Sequence, residues 1–164
     1  MSTCRRSFAF LAVWLTLSIT SSAGPLKPGD RFPSLAHAGD AAKSRVVLVD
    51  FWASWCGPCK ASFPAMEAMQ KEYGERGFSI IAISVDEDAE SMRQFLDEHP
   101  VSFKVLHDTD QRLVNQVEIE AMPTSFLLDQ QGRVAAIFRG FKGEETESEI
   151  KAKLEELLTK SEKP

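Results

Sequence analysis

The chain has 164 residues, 43% of them hydrophobic and 26% charged, enough to build one domain around a real core. Its formal net charge is −5 and it has no basic stretch, which argues against nucleic acid or an anionic membrane surface as a partner. No internal repeat is present, and the one biased segment is a polar tail at Lys160 to Pro164.

Arg5 and Arg6 precede an uncharged apolar run from Phe8 to Thr20, and Ser21-Ser22-Ala23 follows with small residues. This is the pattern of a secretory signal peptide. Cleavage is expected after Ala23, giving a leader over 1–23 and a single domain over 24–164. The competing reading is an uncleaved membrane anchor, but the run is 13 residues long, short of the roughly 20 that span a bilayer. Cys4 stands before the run, whereas a lipoprotein cysteine would follow it, so it reads as a discarded leader residue. Losing Arg5 and Arg6 takes the net charge from −5 to −7. The expected location is periplasmic or otherwise extracytoplasmic, with no stable membrane insertion once the leader is gone and anchoring if it is not. The remaining cysteines, Cys56 and Cys59, would then sit where disulfides persist.

Gly24 to Ala42 is rich in Pro, Gly and Ala and reads as an irregular arm. Val46 to Phe51 is a nearly continuous apolar run, as in a strand buried on both faces. Phe63, Met66, Met69 and Tyr73 recur at helical spacing over Cys59 to Tyr73, with Gly74 and Gly77 as stop signals. Phe78 to Val85 is a second buried strand. Asp88 to His99 reads as a helix, ended by Pro100. A short strand is expected at Phe103 to Leu106 and a short helix at Gln111 to Val117. Thr124 to Asp129 and Val134 to Phe138 are strands joined by the hairpin signal Gln130-Gln131-Gly132-Arg133. In the last helix Thr146 and Glu149 suit a capping box, and Ile150, Leu154, Leu157 and Leu158 line one face. The order is β-α-β, an insert, a hairpin and a closing helix. The class is α/β, with a right-handed crossover expected between the first two strands.

The pair in FWASWCGPCKASFP has three readings. A staple across so small a loop adds little entropy. A zinc site wants about four ligands, and His37, His99 and His107 are scattered in sequence, so no metal is expected. The redox reading explains more. With a strand ending near Phe51 and a helix starting near Cys56, Cys56 lies at a helix N-terminus, where free N–H groups and the macrodipole favour a thiolate. Cys59 is one turn on and more buried. A thiolate attacks a partner disulfide, and the second thiol resolves the mixed disulfide. Pro58 suits the first turn. Asp50 sits in the otherwise apolar VVLVDFW. Burial there raises its pKa and makes it a proton acceptor for Cys59; the competing reading is a strand-end acid with its head in solvent.

VDFWASWCGPCK resembles the active-site signature of thioredoxin and its exported relatives. The resemblance covers roughly residues 28 to 158 and implies a thioredoxin fold, a central mixed sheet flanked by helices. It implies that Asp50 matches the family's buried acid and Trp55 the indole beside the nucleophile, and that Pro64 kinks the active-site helix. Met122-Pro123-Thr124 resembles the cis-proline turn that offers backbone to substrate, and Gly140 the glycine that completes the groove. The implied redox-active disulfide is Cys56–Cys59, with no cofactor. The stretch from Asp86 to Pro123 is longer than a plain thioredoxin needs and implies a central α/β insert. PGDRFPSL at Pro28 to Leu35 looks like the N-terminal β-hairpin of the TlpA/ResA-like subgroup, and AMPTSFLLDQQG echoes a phrase of the same subgroup. That subgroup is exported and generally reducing, and is similar to the thioredoxins of cytochrome c maturation. The implied partners are disulfide-containing exported proteins and a membrane thiol transporter as electron donor, and a monomer is expected.

The chain departs from these relatives in places. Where thioredoxin has a lysine near the buried acid, alignment on Val85-Asp86 puts Ala82. Many TlpA-like chains carry Asn at the Asp50 position, and Ala121 stands where glycine is usual. Several side chains have plainer readings: Trp52 as packing, Met122 as core as readily as substrate contact, Lys60 as a solvated helix lysine, Asp108-x-Asp110 as a turn, and Glu144, Glu145 and Glu147 as acids at a helix start. Two other functions compete. A peroxiredoxin-like peroxidase needs a proline and a threonine framing its cysteine, and residues 51–55 have neither. A thiol-based copper-delivery module usually adds a histidine near the turn that carries Met122-Pro123, and none is there.

Overall fold

The computed structural model describes residues 24–161; the expected leader, with its cleavage site, and the last of the polar tail lie outside them. Five strands form one sheet: β1 (Val46–Trp52), β2 (Phe78–Ser84), β3 (Lys104–His107), β4 (Thr124–Leu128) and β5 (Val134–Arg139). Their order is β3-β2-β1-β4-β5. β2 runs parallel to β1 and β3 to β2, while β4 is antiparallel to both β1 and β5. This is the mixed sheet that the resemblance implied. Four helices accompany it: α1 (Gly57–Tyr73), α2 (Ala89–Glu98), α3 (Arg112–Val117) and α4 (Glu144–Ser161).

β1 lies in the middle and every one of its residues is buried, which is why it reads as an unbroken apolar run. The two-residue period sorts its side chains. Val46, Leu48 and Trp52 join a core with Phe63, Met66 and Met69 of α1 and Ile150, Leu154 and Leu158 of α4. Val47, Val49 and Phe51 join the opposite core, with Phe32 of the arm and Val117 of α3. Asp50 therefore falls on the α1 face, the one that also holds both cysteines.

The insert packs onto this frame through aromatics. Asp88 caps α2, its Oδ1 accepting from the Ser91 N–H at 2.8 Å. Phe95 of α2 then meets Trp52 at 4.9 Å and Phe63 at 4.9 Å between ring centroids. The carboxyl of Asp108 accepts from the N–H groups of Leu113 and Val114 at 3.2 and 2.8 Å, so the Asp108-x-Asp110 turn starts α3.

Two local expectations change. The segment Pro28 to Leu35 does not fold on itself as a β-hairpin. It lies beside the β4–β5 turn in a single antiparallel bridge, Arg31 to Arg133, with Gly29 N–H on the Val134 carbonyl at 2.8 Å and Phe32 N–H on that of Gly132 at 3.0 Å. Pro28 and Pro33 have no N–H to give and bracket the bridge. A 3-10 segment, Ala36–Lys43, follows and breaks at Gly39. The closing helix begins at Glu144 rather than being capped by Thr146. Gly143 turns the chain at φ 67°, and Thr146 Oγ1, already inside the first turn, accepts from the Lys142 N–H at 3.0 Å.

Phe95 is 4% exposed and joins the insert to the active-site helix. Phe95→Ala should lower the unfolding free energy by about 3–5 kcal/mol, read from urea denaturation; a loss under about 1 kcal/mol would show that the insert is energetically detached.

Candidate active site

The chain leaves β1 at Trp52 and enters α1 at Gly57, and Cys56 is the N-cap. Its sulfur accepts from the Cys59 N–H at 3.3 Å, taking up one of the free donors of the first turn. Cys56 and Cys59 are joined in a disulfide, with Cα atoms 5.3 Å apart. Cys56 is 6% exposed and Cys59 is sealed at 0%, so an incoming sulfur can reach the first and not the second. No acidic residue lies in the first turn, which leaves the positive end of the helix unopposed beside Cys56. Pro64 lies inside α1, and the helix continues through it. Lys60 is exposed, as expected, with its Nζ 5.7 Å from the centroid of the Phe95 ring.

Asp50 is 1% exposed. Ser125 Oγ donates to its Oδ1 at 2.5 Å, and Oδ2 is buried with no partner. In the register Ala82 is its neighbour on one side and Ser125 on the other, so no lysine reaches the carboxyl from the second strand. Burial pushes its pKa up to about 7, against the smaller downward pull of the Ser125 hydroxyl. A carboxyl that changes charge near neutrality can take up or release a proton there. The strand-end, solvated reading of Asp50 is excluded by its burial.

Met122-Pro123 is a cis peptide bond. Thr124 Oγ1 donates to the Ala121 carbonyl at 2.7 Å. The Gly140 N–H donates to the Pro123 carbonyl at 2.7 Å, and Gly140 has φ 76°, a conformation glycine reaches without strain. The two positions, 17 apart in sequence, are thus locked together. Met122 is half-buried against the core that contains the cysteines. Trp55 is the exposed large hydrophobic side chain among the described residues, at 68%, and lines a cavity of about 660 Å³ together with Met122. Trp52 is fully buried against Phe63 and Phe95. Of the residues singled out in the sequence, Asp50, Cys56, Cys59 and Met122 share one core face, Trp55 and Met122 share a cavity, and Pro123 and Gly140 share a hydrogen bond. Ser125 went unnoticed; its signal was its place two residues after the proline, in a strand that had to pair with β1.

Fold and site together define a thioredoxin-fold protein with a Cys-x-x-Cys pair at the start of its first helix. The chain belongs to the Redoxin family, whose match covers residues 29–154. It is similar to the thiol-disulfide oxidoreductase ResA of Oceanobacillus iheyensis, 37% identical over 57% of this chain and 49% of the relative. It is similar also to ResA of Bacillus subtilis, 33% identical over 60% of this chain and 55% of the relative. The match thus spans about half the length of these curated relatives. Among solved structures, a Chlorobium tepidum protein named as a thiol:disulfide interchange protein DsbE superposes with a TM-score of 0.74 at 33% identity, over 81% of this chain and 99% of that one. StoA of Bacillus subtilis shares the fold, with a TM-score of 0.60 at 22% identity over 68% of this chain and 84% of that one.

The raised pKa of Asp50 has a stability consequence. Below about pH 4 the folded and unfolded forms both hold this proton, and between there and about pH 7 only the folded form does. Unfolding therefore releases a proton in that window, and stability falls as pH rises. For the oxidised protein the contribution is on the order of 4 kcal/mol between pH 4 and pH 8. Asp50→Asn should flatten that part of the profile in urea titrations across pH; an unchanged slope would show that the acid titrates normally.

Proposed function

We propose that the protein is an exported thiol–disulfide oxidoreductase that reduces disulfides of other exported proteins, those of cytochrome c maturation among them. The observation that carries this reading is the asymmetry of the pair: Cys56 caps a helix and is reachable, while Cys59 is bonded to it from a fully buried position. The names of the ResA relatives, the Gly57-Pro58 dipeptide of thioredoxin and the leader pattern of residues 1–23 support it further. A membrane thiol transporter would supply the electrons.

In the reduced protein the Cys56 thiolate attacks one sulfur of the substrate disulfide. That bond breaks, a mixed disulfide forms and the first substrate thiolate leaves. Cys59 then loses its proton to the carboxylate of Asp50 and attacks Cys56 Sγ. The second substrate thiolate departs, and the Cys56–Cys59 bond remains. Two electrons have passed to the substrate, and a thiol donor returns the protein to its dithiol form. Trp55, Met122, Pro123 and Gly140 are assigned to the surface that receives the substrate. The domain that does this is residues 24–164, and it acts as a monomer without cofactor.

Insulin reduction in the presence of dithiothreitol tests the chemistry. Turnover should vanish in both Cys56→Ser and Cys59→Ser, and Cys59→Ser should accumulate a mixed disulfide on Cys56. Peroxide consumption that survives Cys59→Ser would replace the reductase with a peroxidase. Direction is read from equilibrium against glutathione. A potential close to about −270 mV fits a reductant, and one close to about −120 mV would make the protein an oxidant.

A further inference from the structure

Asp86 is a buried acid, 2% exposed, with no part in the sulfur chemistry above. Its carboxyl is filled by donors from two elements. Ser54 gives its N–H to Oδ1 and Oδ2 at 3.1 Å each, and its hydroxyl to Oδ1 at 2.7 Å. Ser84, at the end of β2, gives its hydroxyl to Oδ2 at 2.7 Å and accepts from the Asp86 N–H at 3.1 Å. The Asp86 carbonyl lies 2.7 Å from His107 Nε2 at the end of β3. Two strand ends thereby hold one loop residue, and a buried carboxyl so thoroughly bonded resists movement. Ser54, bound to it, immediately precedes the exposed Trp55 and stands two before Cys56. Asp86 itself lines the cavity that Trp55 and Met122 share.

We propose that Asp86 is a positioning residue for substrate binding: through Ser54 it fixes Trp55 along this cavity, which receives the chain flanking the reacting disulfide. The proposal deepens the thiol–disulfide reading and rests on it. An exposed indole contributes to binding only if it need not be ordered when substrate arrives. The clamp orders it beforehand. Asp86→Asn exchanges one acceptor for an NH2 donor. With the NH2 turned to the Ser84 hydroxyl, which can accept from it, Oδ1 still takes the Ser54 hydroxyl, while the Ser54 N–H loses the Oδ2 leg of its bond and the charge that strengthened the other.

The test compares a protein substrate with a small one. Attack on 5,5′-dithiobis(2-nitrobenzoate) needs the Cys56 sulfur alone, whereas insulin also needs the surface beside it. Asp86→Asn should raise KM for insulin about tenfold, the order that loss of a charge-assisted hydrogen bond gives. It should leave kcat and the rate with the small disulfide within about twofold. Trp55→Ala should raise the insulin KM at least as much, and the double variant should be no worse than Trp55→Ala alone. Ser54→Ala, which keeps the backbone bond and loses only the hydroxyl, should raise KM about threefold, and it decides the matter if Asp86→Asn does not fold. Equal slowing of both substrates, or an unchanged insulin KM in Asp86→Asn or Ser54→Ala, overturns the proposal. A Trp55→Ala protein that binds insulin normally while Asp86→Asn does not overturns it too, by removing the group said to be positioned. If the wild-type protein fails to reduce insulin at all, the thiol–disulfide reading falls and takes this inference with it.

Discussion

The Cys56 sulfur has two tasks at the start of α1. It terminates the helix by accepting the Cys59 N–H, and it is the sulfur that solvent can approach. The tasks reinforce each other. A sulfur carrying negative charge is a better acceptor than a thiol or a disulfide, so the same donor that favours the thiolate makes a stronger cap when the thiolate forms. Reactivity at this position is therefore not opposed to local stability. What the arrangement requires is a rigid approach to the helix, and β1 supplies it: a central strand buried along its whole length, with four residues between its end and the start of the helix.

Asp50 shows the opposite economy. It sits on the same strand and faces the same core as the sulfurs, but nothing nearby favours its charge except one hydroxyl. Ser125 holds Oδ1 and leaves Oδ2 bare, which keeps the carboxyl close to the point where proton and charge are equally favoured. A lysine at the Ala82 position would pull that balance toward the anion. Its absence makes the acid easier to protonate, so on the proposed mechanism fewer molecules hold the carboxylate that takes the Cys59 proton at low pH. On the proposed mechanism, acid and thiols titrate as a coupled set, so a measured pH profile belongs to the group rather than to one side chain.

How much of this was readable in the chain follows the range of each interaction. β1, α1 and β2 declare themselves because burial on both faces, helical spacing and glycine stops are local signals, and each boundary lies within two residues of the expected one. The Cys56 cap was legible because a strand, a short loop and Pro58 leave it no other place. The Pro28–Leu35 segment misled because its prolines mark a turn equally well in a hairpin and in a strap across another turn; only the position of Arg133, about a hundred residues away, separates the two. Thr146 misled because a capping box depends on where the preceding glycine turns the chain. Ser125 and the Ser54–Asp86–Ser84 group were invisible for a deeper reason. Small polar residues acquire meaning from the partner that tertiary structure brings to them, 75 positions distant for Asp50 and 32 for Ser54.

The candidate site also divides between the sulfur pair with its neighbours and a surface to which the insert contributes. The sulfurs, Asp50 and the cis-proline turn come from the minimal β1–α1–β4–β5 frame. Asp86 opens the insert, and Val114, Ile119 and Met122, at its far end, line the same cavity as Trp55. The insert is not a passive bulge, because Phe95 wedges it against Trp52 and Phe63, beneath the active-site helix, and Lys60 lies over the same ring. A change at Phe95 therefore reaches the active-site helix, whereas on the proposed function a change at Val114 or Ile119 alters the cavity beside Trp55 and leaves the helix start in place. On the proposed function, discrimination among substrates is then a property of the segment between Asp86 and Pro123, separable by mutation from the exchange chemistry that β1 and α1 carry.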